Sequence, residues 1–393
     1  MENLSYKLEN GVLTVSVSGR IDSSNAAEFD AELEKIRINN PHNDLVIDAE
    51  ELLYTSSAGL RAILRVLKLE PGMKIINASS EVYDIFEMTG FTELMTIQKA
   101  YRQISVEGAE LIGQGATGKV YRTAPDTIVK VYFDSNSLSD IEREIKMARR
   151  AFVLGIPTAI PFDIVKVGDS FGSVFEMLNA DSFAKLVIRD PDNIDKYIKL
   201  SVELMKKIHH AQVKPEEMAN QKNVFRKKID FIKKFLTEER YNKLAKMYEA
   251  IPESDHMLHG DLHFKNIMMQ NGEVLLIDMD TLCHGDPIFE FASIYDAYLG
   301  FSEFDRENIH DFLGLTYEQG QHVWFKTLEY YFDTHDEKRI EEITKKVQVL
   351  SNLRLFQHMI THGLDVEEKY KKQEEGYFRN LNKAIDEVDD LIL

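Results

Sequence analysis

Apolar and polar residues alternate through Val12-Leu-Thr-Val-Ser-Val-Ser18, directly after Asn10-Gly11. Alternation at period two behind an Asn-Gly pair predicts a hairpin strand. The spacing then turns helical from Asn25 to about Ile38. Ala27, Phe29, Leu33 and Ile36 fall roughly on one face, and Ser23 or Ser24 is the expected cap. Asp44–Asp48 reads as a buried strand, Ser57–Leu69 as an amphipathic helix ended by Glu70-Pro-Gly72, Met73–Ala78 as a strand, and Glu81–Met88 as a helix stopped by Gly90. Strands alternating with helices predict an α/β unit complete near residue 100.

A second pattern begins at Ile104. Leu111-Ile112, Val120-Tyr-Arg122 and Ile128–Phe133 flank turns and predict an antiparallel sheet, followed by a helix over 139–152. Phe162–Val167 and Gly172–Leu178 read as further strands. From about Asp181 to Tyr248 the pattern is helical. A hairpin around Gln270-Asn-Gly272 interrupts it, and the remainder to Leu393 is helical. The chain thus divides into residues 1–101 and 104–393, with a short linker near 99–106.

The chain has 393 residues and a composition of 44% hydrophobic and 29% charged, that of a soluble globular protein of more than one domain. Its formal charge of −19 disfavours binding to nucleic acid or to anionic membrane surfaces. A single cysteine, Cys283, rules out an internal disulfide and suits a reducing compartment. No apolar run is long enough to span a bilayer, and the N-terminus lacks the basic and apolar regions of a signal peptide. A cytoplasmic location is expected.

The chemistry is concentrated in His259-Gly-Asp-Leu-His-Phe-Lys-Asn266 and Leu275-Leu-Ile-Asp-Met-Asp280. Asp261 and Asn266 are close enough for one short loop to present both. Asp278 follows a Gly turn and an apolar strand, so a hairpin returns it to the same place. One carboxylate can orient or accept a hydroxyl proton, while Asn and a second carboxylate hold magnesium on phosphates. Singly, each of these residues is explained as well by turn formation.

Gly113-Gln-Gly-Ala-Thr-Gly-Lys-Val120 fits G-x-G-x-x-G-x-V through Gly113, Gly115 and Gly118. A dinucleotide-binding turn needs a helix after the last glycine, but Lys119-Val-Tyr-Arg reads as strand. A P-loop needs Ser or Thr after Lys119, where this chain has Val120. A kinase-type loop between two strands fits best; an ordinary hairpin turn is the plain alternative. Lys130 separates them. It stands inside the apolar strand Ile-Val-Lys-Val-Tyr, where a buried ammonium needs a phosphate and a carboxylate. The next helix offers Glu142 and Glu144 on different faces; Glu144 is the expected partner, and Glu142 stays open.

These residues resemble the aminoglycoside phosphotransferase and choline-kinase branch of the protein-kinase-like fold, over residues from about 105 to 393. The His-Gly-Asp form and His284-Gly-Asp-Pro287 are typical of that branch. Asp-Phe-Gly is replaced by Asp278-Met-Asp280, and no Ala-Pro-Glu segment follows. The resemblance implies a bilobal α+β domain, with an N-lobe over 104–178 and a largely helical C-lobe over 179–393. It implies Asp261 as catalytic base, Asn266 and Asp278 as magnesium ligands, and ATP as phosphoryl donor. The Gly-rich loop, Lys130 and Glu144 then serve the phosphates, and Glu176–Leu178 form the hinge that contacts adenine. His263 receives no chemical role, and His259 is expected to support the loop. Asp280 is a candidate either for a carboxylate that supports the metal ligands or for one that binds the substrate.

Residues 1 to about 100 resemble the STAS domain of anti-sigma-factor antagonists, in element order and in Leu53-Tyr-Thr-Ser-Ser-Ala-Gly-Leu60. The resemblance implies Ser57 as a phosphate acceptor at a helix start, where free N–H groups and the helix dipole favour an anion. Thr55 stands where Asp is common. A helix cap is the plain alternative for Ser56 and Ser57.

The leading expectation is an ATP-dependent phosphotransferase acting on a hydroxyl of a small molecule, with a STAS module for regulation or docking to a protein partner. A serine kinase acting on a STAS domain and a non-catalytic ATP-sensing scaffold are the alternatives. Asp286, Glu290 and Asp296 are candidates for binding an amine group on the acceptor, or for a solvated helix face.

Overall fold

The fold is described from a computed structural model, which covers residues 4–115, 117–133, 138–361 and 368–393. The chain divides into two compact units, Met1–Ser105 with Ile164–Asp169, and Val106–Asp163 with Ser170–Leu393. The segment Ile164–Asp169 groups with the first unit although the sequence pattern runs it into the second.

The first unit holds a five-stranded sheet. Leu4–Glu9 and Val12–Val17 pair antiparallel through the Asn10-Gly11 turn, where both residues have positive φ, 49° and 80°. That geometry matches the right-handed twist of the flanking strands. Val12–Val17 then pairs parallel with Asp44–Asp48, which pairs with Lys74–Ala78, which pairs with Ile97–Lys99. Val12–Val17 buries Leu13, Val15 and Val17, as alternation requires. The helix Ala26–Asn39 starts behind Asn25 rather than Ser23 or Ser24, and no side-chain bond caps it. Asn25 instead accepts from the Asp22 N–H and donates to the Arg20 carbonyl, which fixes the turn before the helix. The buried face carries Ala26, Phe29, Leu33 and Ile36, so Ala26 and not Ala27 belongs to it.

In the second unit Glu110–Gln114, Gly118–Ala124, Thr127–Tyr132 and Ser170–Glu176 form consecutive antiparallel strands. The helix Leu138–Val153 packs its stripe of Ile141, Glu144, Ile145 and Ala148 inward. The rest of the unit is mainly helical, built around Pro287–Tyr298, whose residues from Ile288 to Tyr298 are all buried. Apart from Glu290, Ser293 and Asp296 this helix is apolar on every side, as an element that the fold encloses is. Tyr317–Phe332 and Glu337–Thr361 pack against it, and Gln221–Ile232 packs against Glu337–Thr361. No helix among the described residues is long and apolar enough to cross a membrane.

Candidate active site

Cross-strand register sets the first part of the site. Gly113, Val120, Lys130 and Ser173 face one another across four neighbouring strands. Gly113 therefore lies two strand spacings, about 10 Å, from Lys130. Within the turn only Gly118 is demanded by packing: a Cβ there would run into the Val131 carbonyl oxygen. Gly115 has open space around its Cβ position and Gly113 has only Val120 at 4.0 Å. Ala116 lies outside the described residues. Glu176 ends the strand that faces Lys130, opposite Thr127, and Leu178 follows just beyond it. The Met177 N–H donates to the Asp126 carbonyl and fixes this crossing.

The Lys130 ammonium donates to both Glu144 oxygens, at 3.1 and 3.2 Å, and to Asp278 Oδ1 at 3.2 Å. Glu144 is the partner because it stands in the apolar stripe of its helix; Glu142 lies exposed. The Tyr132 hydroxyl donates to Glu144 Oε2 at 2.5 Å and contacts Ser173 Oγ at 3.2 Å. Burial works against the Lys130 charge, but Asp278 and Glu144 outweigh it and hold its pKa above the usual lysine value. Burial and the Glu144 charge raise the Tyr132 phenol.

The hairpin brings the other residues to the same place. Ile267–Gln270 and Glu273–Leu276 pair through Asn271-Gly272, both at positive φ. The Ile277 N–H donates to the Asn266 carbonyl at 2.9 Å, so Asn266 and Asp278 leave the hairpin side by side. Asp278 itself sits at φ 65° and ψ 74°, a backbone state that costs a non-glycine residue about 1 kcal/mol or more. Holding its carboxylate against Lys130 at the end of a strand is what the fold gains.

Asn266 Nδ2 donates to the Asp261 carbonyl at 3.0 Å and approaches its carboxylate at 3.4 Å. His263 Nε2 lies 3.3 Å from Asp261 Oδ2, and the ring stands edge-on to Phe312. Burial pushes the Asp261 carboxyl up, but His263, then His259 and Arg354, overcome this and hold it below the usual aspartate value. His263, expected to have no chemical role, is thus a direct neighbour of the central carboxylate. His259 does support the loop: its Nδ1 accepts from the Asp261 N–H at 3.3 Å. Asp280 is partly buried, and burial together with the Asp278 charge pushes it up to about 6.

Glu290 anchors the whole loop. Its side chain is fully buried and accepts from the His259 N–H at 2.6 Å and the Gly260 N–H at 3.0 Å. Ser293, three residues on, donates to the Gly260 carbonyl at 2.7 Å. Gly260 is required, with φ +83° and a Cβ position 2.6 Å from the Thr281 carbonyl. Burial would raise the Glu290 pKa; the adjacent His209, 3.6 Å away, and these backbone donors keep it below the ordinary glutamate value. Asp286 caps the helix by accepting from the Ile288 N–H at 3.0 Å. Glu290 and Asp296 are buried, so neither belongs to a solvated face.

Ser57 is exposed as the first residue of the helix Ser57–Leu69. The cap is Ser56, whose side chain accepts from the Gly59 N–H at 3.5 Å. Gly59 is fixed by packing, since a Cβ would meet Thr55 Oγ1 at 2.5 Å.

Residues 108–323 match the phosphotransferase enzyme family, and as this is more than half of the chain, the protein belongs to that family. Residues 3–104 match the STAS domain. Over 92 residues the chain is 29% identical to BtrV of Bordetella bronchiseptica, which bears the name of an anti-sigma factor antagonist; the match covers 22% of this chain and 78% of BtrV. Among solved structures, a thermostable mutant of aminoglycoside phosphotransferase APH(4)-Ia is similar at 13% identity and TM-score 0.48, covering 71% of this chain and 94% of that one. ADP-bound APH(2'')-Ib is similar at 15% identity and TM-score 0.48, covering 77% and 98%. A choline/ethanolamine kinase family protein from Mesorhizobium loti gives 15% identity and TM-score 0.44, covering 72% and 89%.

Proposed function

We propose that this protein transfers the γ-phosphoryl group of ATP to a hydroxyl of a small molecule. The observation that carries it is the convergence of Lys130, Glu144 and Asp278 in one ion cluster with Asn266 and Asp261 beside it. Lys130 is proposed to hold phosphate oxygens, with Glu144, itself bonded by Tyr132, fixing its position. The strand end at Glu176–Leu178 is the segment proposed to contact adenine. Gly113, Gly115 and Gly118 form the turn proposed to cover the phosphates.

No group of three or more His, Cys, Asp or Glu side chains among the described residues is placed to hold a metal alone. Magnesium takes one or two protein oxygens and completes its shell with phosphate and water. Asp278, with a 41% accessible side chain, and Asn266, whose amide hydrogens face Asp261, fit that demand. When bound, magnesium supplies charge neutralisation on the phosphates.

Asp261 orients the acceptor hydroxyl and takes its proton. As the acceptor oxygen bonds to the γ-phosphorus, the bond from that phosphorus to the β–γ bridging oxygen breaks, and its electron pair leaves with ADP. The lowered pKa of Asp261 makes it a weak base, which suits a loose transition state whose proton leaves late. The test is ADP release from magnesium-ATP by the purified protein, screened over hydroxyl compounds. Acceptor-stimulated release with a phosphorylated product supports the reading; no stimulation and no ATP binding would sink it.

A second reading is favoured by the exposure of Ser57 at a helix start. The STAS unit then docks a protein partner, or carries the phosphate itself, on Ser57. Mass spectrometry of the Ser57 peptide after incubation with magnesium-ATP tests this; an unmodified peptide alongside small-molecule transfer removes it.

A further inference from the structure

A polar seam leads away from the candidate catalytic loop between helices that are otherwise packed with apolar residues. It starts at Ser293, bonded to the Gly260 carbonyl beside Asp261. One turn further along the same helix, about 5 Å on, is Asp296, 1% accessible. Ser351 on the helix Glu337–Thr361 donates to Asp296 Oδ1 at 2.5 Å. Arg354, one turn beyond Ser351, places a guanidinium nitrogen 3.4 Å from Asp296 Oδ2. Gln357, one further turn along, accepts from the Lys228 ammonium at 2.7 Å.

The charges in this seam are unevenly partnered. Arg354 lies beside Asp296 and acts on the Asp261 carboxylate as well, whereas among the described residues no carboxylate lies within ion-pair distance of Lys228. Lys228 has only a neutral amide as hydrogen-bond acceptor, and its pKa is lowered by burial and then by the Arg354 charge. Burial pushes Asp296 up to about 7 against the pull of Arg354, which weakens that counter-charge. Two like charges in a partly buried seam repel unless an anion joins them. The Arg354 side chain is 32% accessible and Lys228 half-buried, so both are open to solvent. Of the three acidic residues read as candidates for an amine, Glu290 holds the loop, Asp286 caps its helix, and Asp296 accepts from Ser351 with Arg354 beside its other oxygen.

We propose that Arg354 and Lys228 form an anion-binding subsite for the acceptor, so that the hydroxyl compound phosphorylated here carries a carboxylate or a phosphate rather than an amine. This rests on the phosphotransferase reading and names the substrate class for the same site. Arg354 grips the anion with its planar fork, and Lys228 adds a point charge. Both are substrate-binding residues and leave the proton to Asp261.

The test is equilibrium dialysis of labelled inorganic phosphate against the full-length protein, saturated with magnesium and a non-hydrolysable ATP analogue so that the nucleotide's own phosphate positions are filled. Saturable phosphate binding is expected, displaced by glycerate or glycerol 3-phosphate and not by choline; the stronger of the two displacers tells carboxylate from phosphate ester. Arg354→Gln and, separately, Lys228→Gln should weaken phosphate binding by about tenfold or more with the affinity for the ATP analogue unchanged. Unchanged analogue affinity shows that the variants are folded. Absence of phosphate binding, equal binding in both variants, or displacement by choline would overturn the subsite. Failure of the analogue itself to bind is read separately and counts against the phosphotransferase reading.

Discussion

The Lys130 ammonium lies 3.2 Å from the Asp278 carboxylate, although 148 positions separate the two residues in the chain. The contact joins the sheet that carries the Gly-rich turn to the hairpin that follows the His-Gly-Asp loop. Lys130→Met leaves the buried Glu144 carboxylate without its cation. Breaking such a pair costs about 3 kcal/mol, measured as a loss of urea stability, and under the role proposed for Lys130 at the phosphates turnover falls about a hundredfold or more. Lys130→Arg should restore much of the stability and little of the turnover, because a guanidinium fork does not fit a point-charge position.

Glu290 holds the loop by its backbone. Glu290→Gln keeps one acceptor oxygen but turns an amide donor toward a backbone N–H. The expected cost is about 1–3 kcal/mol in chemical denaturation, with a larger loss for Glu290→Ala. Turnover should fall in the Gln variant while the affinity for the nucleotide stays near that of the wild type, since Glu290 contacts the loop backbone and His209.

Asp296 gives a pH signature of known sign. Burial pushes its folded pKa up to about 7, above the ordinary aspartate value of 3.8, opposed by Arg354, Ser351 and Lys228 and aided by Asp261. Between those values the folded state binds the proton and the unfolded state does not. This contribution to stability is full below about pH 4 and is lost as pH rises through 7. Thermal melts of Asp296→Asn should show a flatter decline over that interval than the wild type. Parallel curves would show that Asp296 is ionised throughout.

Much of this site was legible in the chain because its residues fall in short, regular segments. The Asn-Gly turns announced both hairpins, and Glu144 stands between Ile141, Ile145 and Ala148, a stripe that buries it. Glu290 was misjudged for a reason the sequence contained. Its helix is apolar all round except for Glu290, Ser293 and Asp296 at three-residue spacing, and such a helix has no solvated face. Lys228 and Arg354 could not be seen, because only helix packing brings residues so distant in sequence to one seam. The same limit applies to Ile164–Asp169, whose grouping is tertiary, and to His263, whose neighbour depends on how the loop closes. At Asn25 local turn bonding displaced the serine cap that composition suggested.

The most direct measurement compares the wild type with Asp261→Asn, following binding of ATP and its magnesium-dependent turnover with acceptor in the same preparation. The role proposed for this carboxylate is to handle the acceptor proton and not to hold the nucleotide. The variant should therefore bind ATP within a few-fold of the wild type and lose acceptor-dependent turnover by about a hundredfold or more. Full turnover in Asp261→Asn would contradict the account.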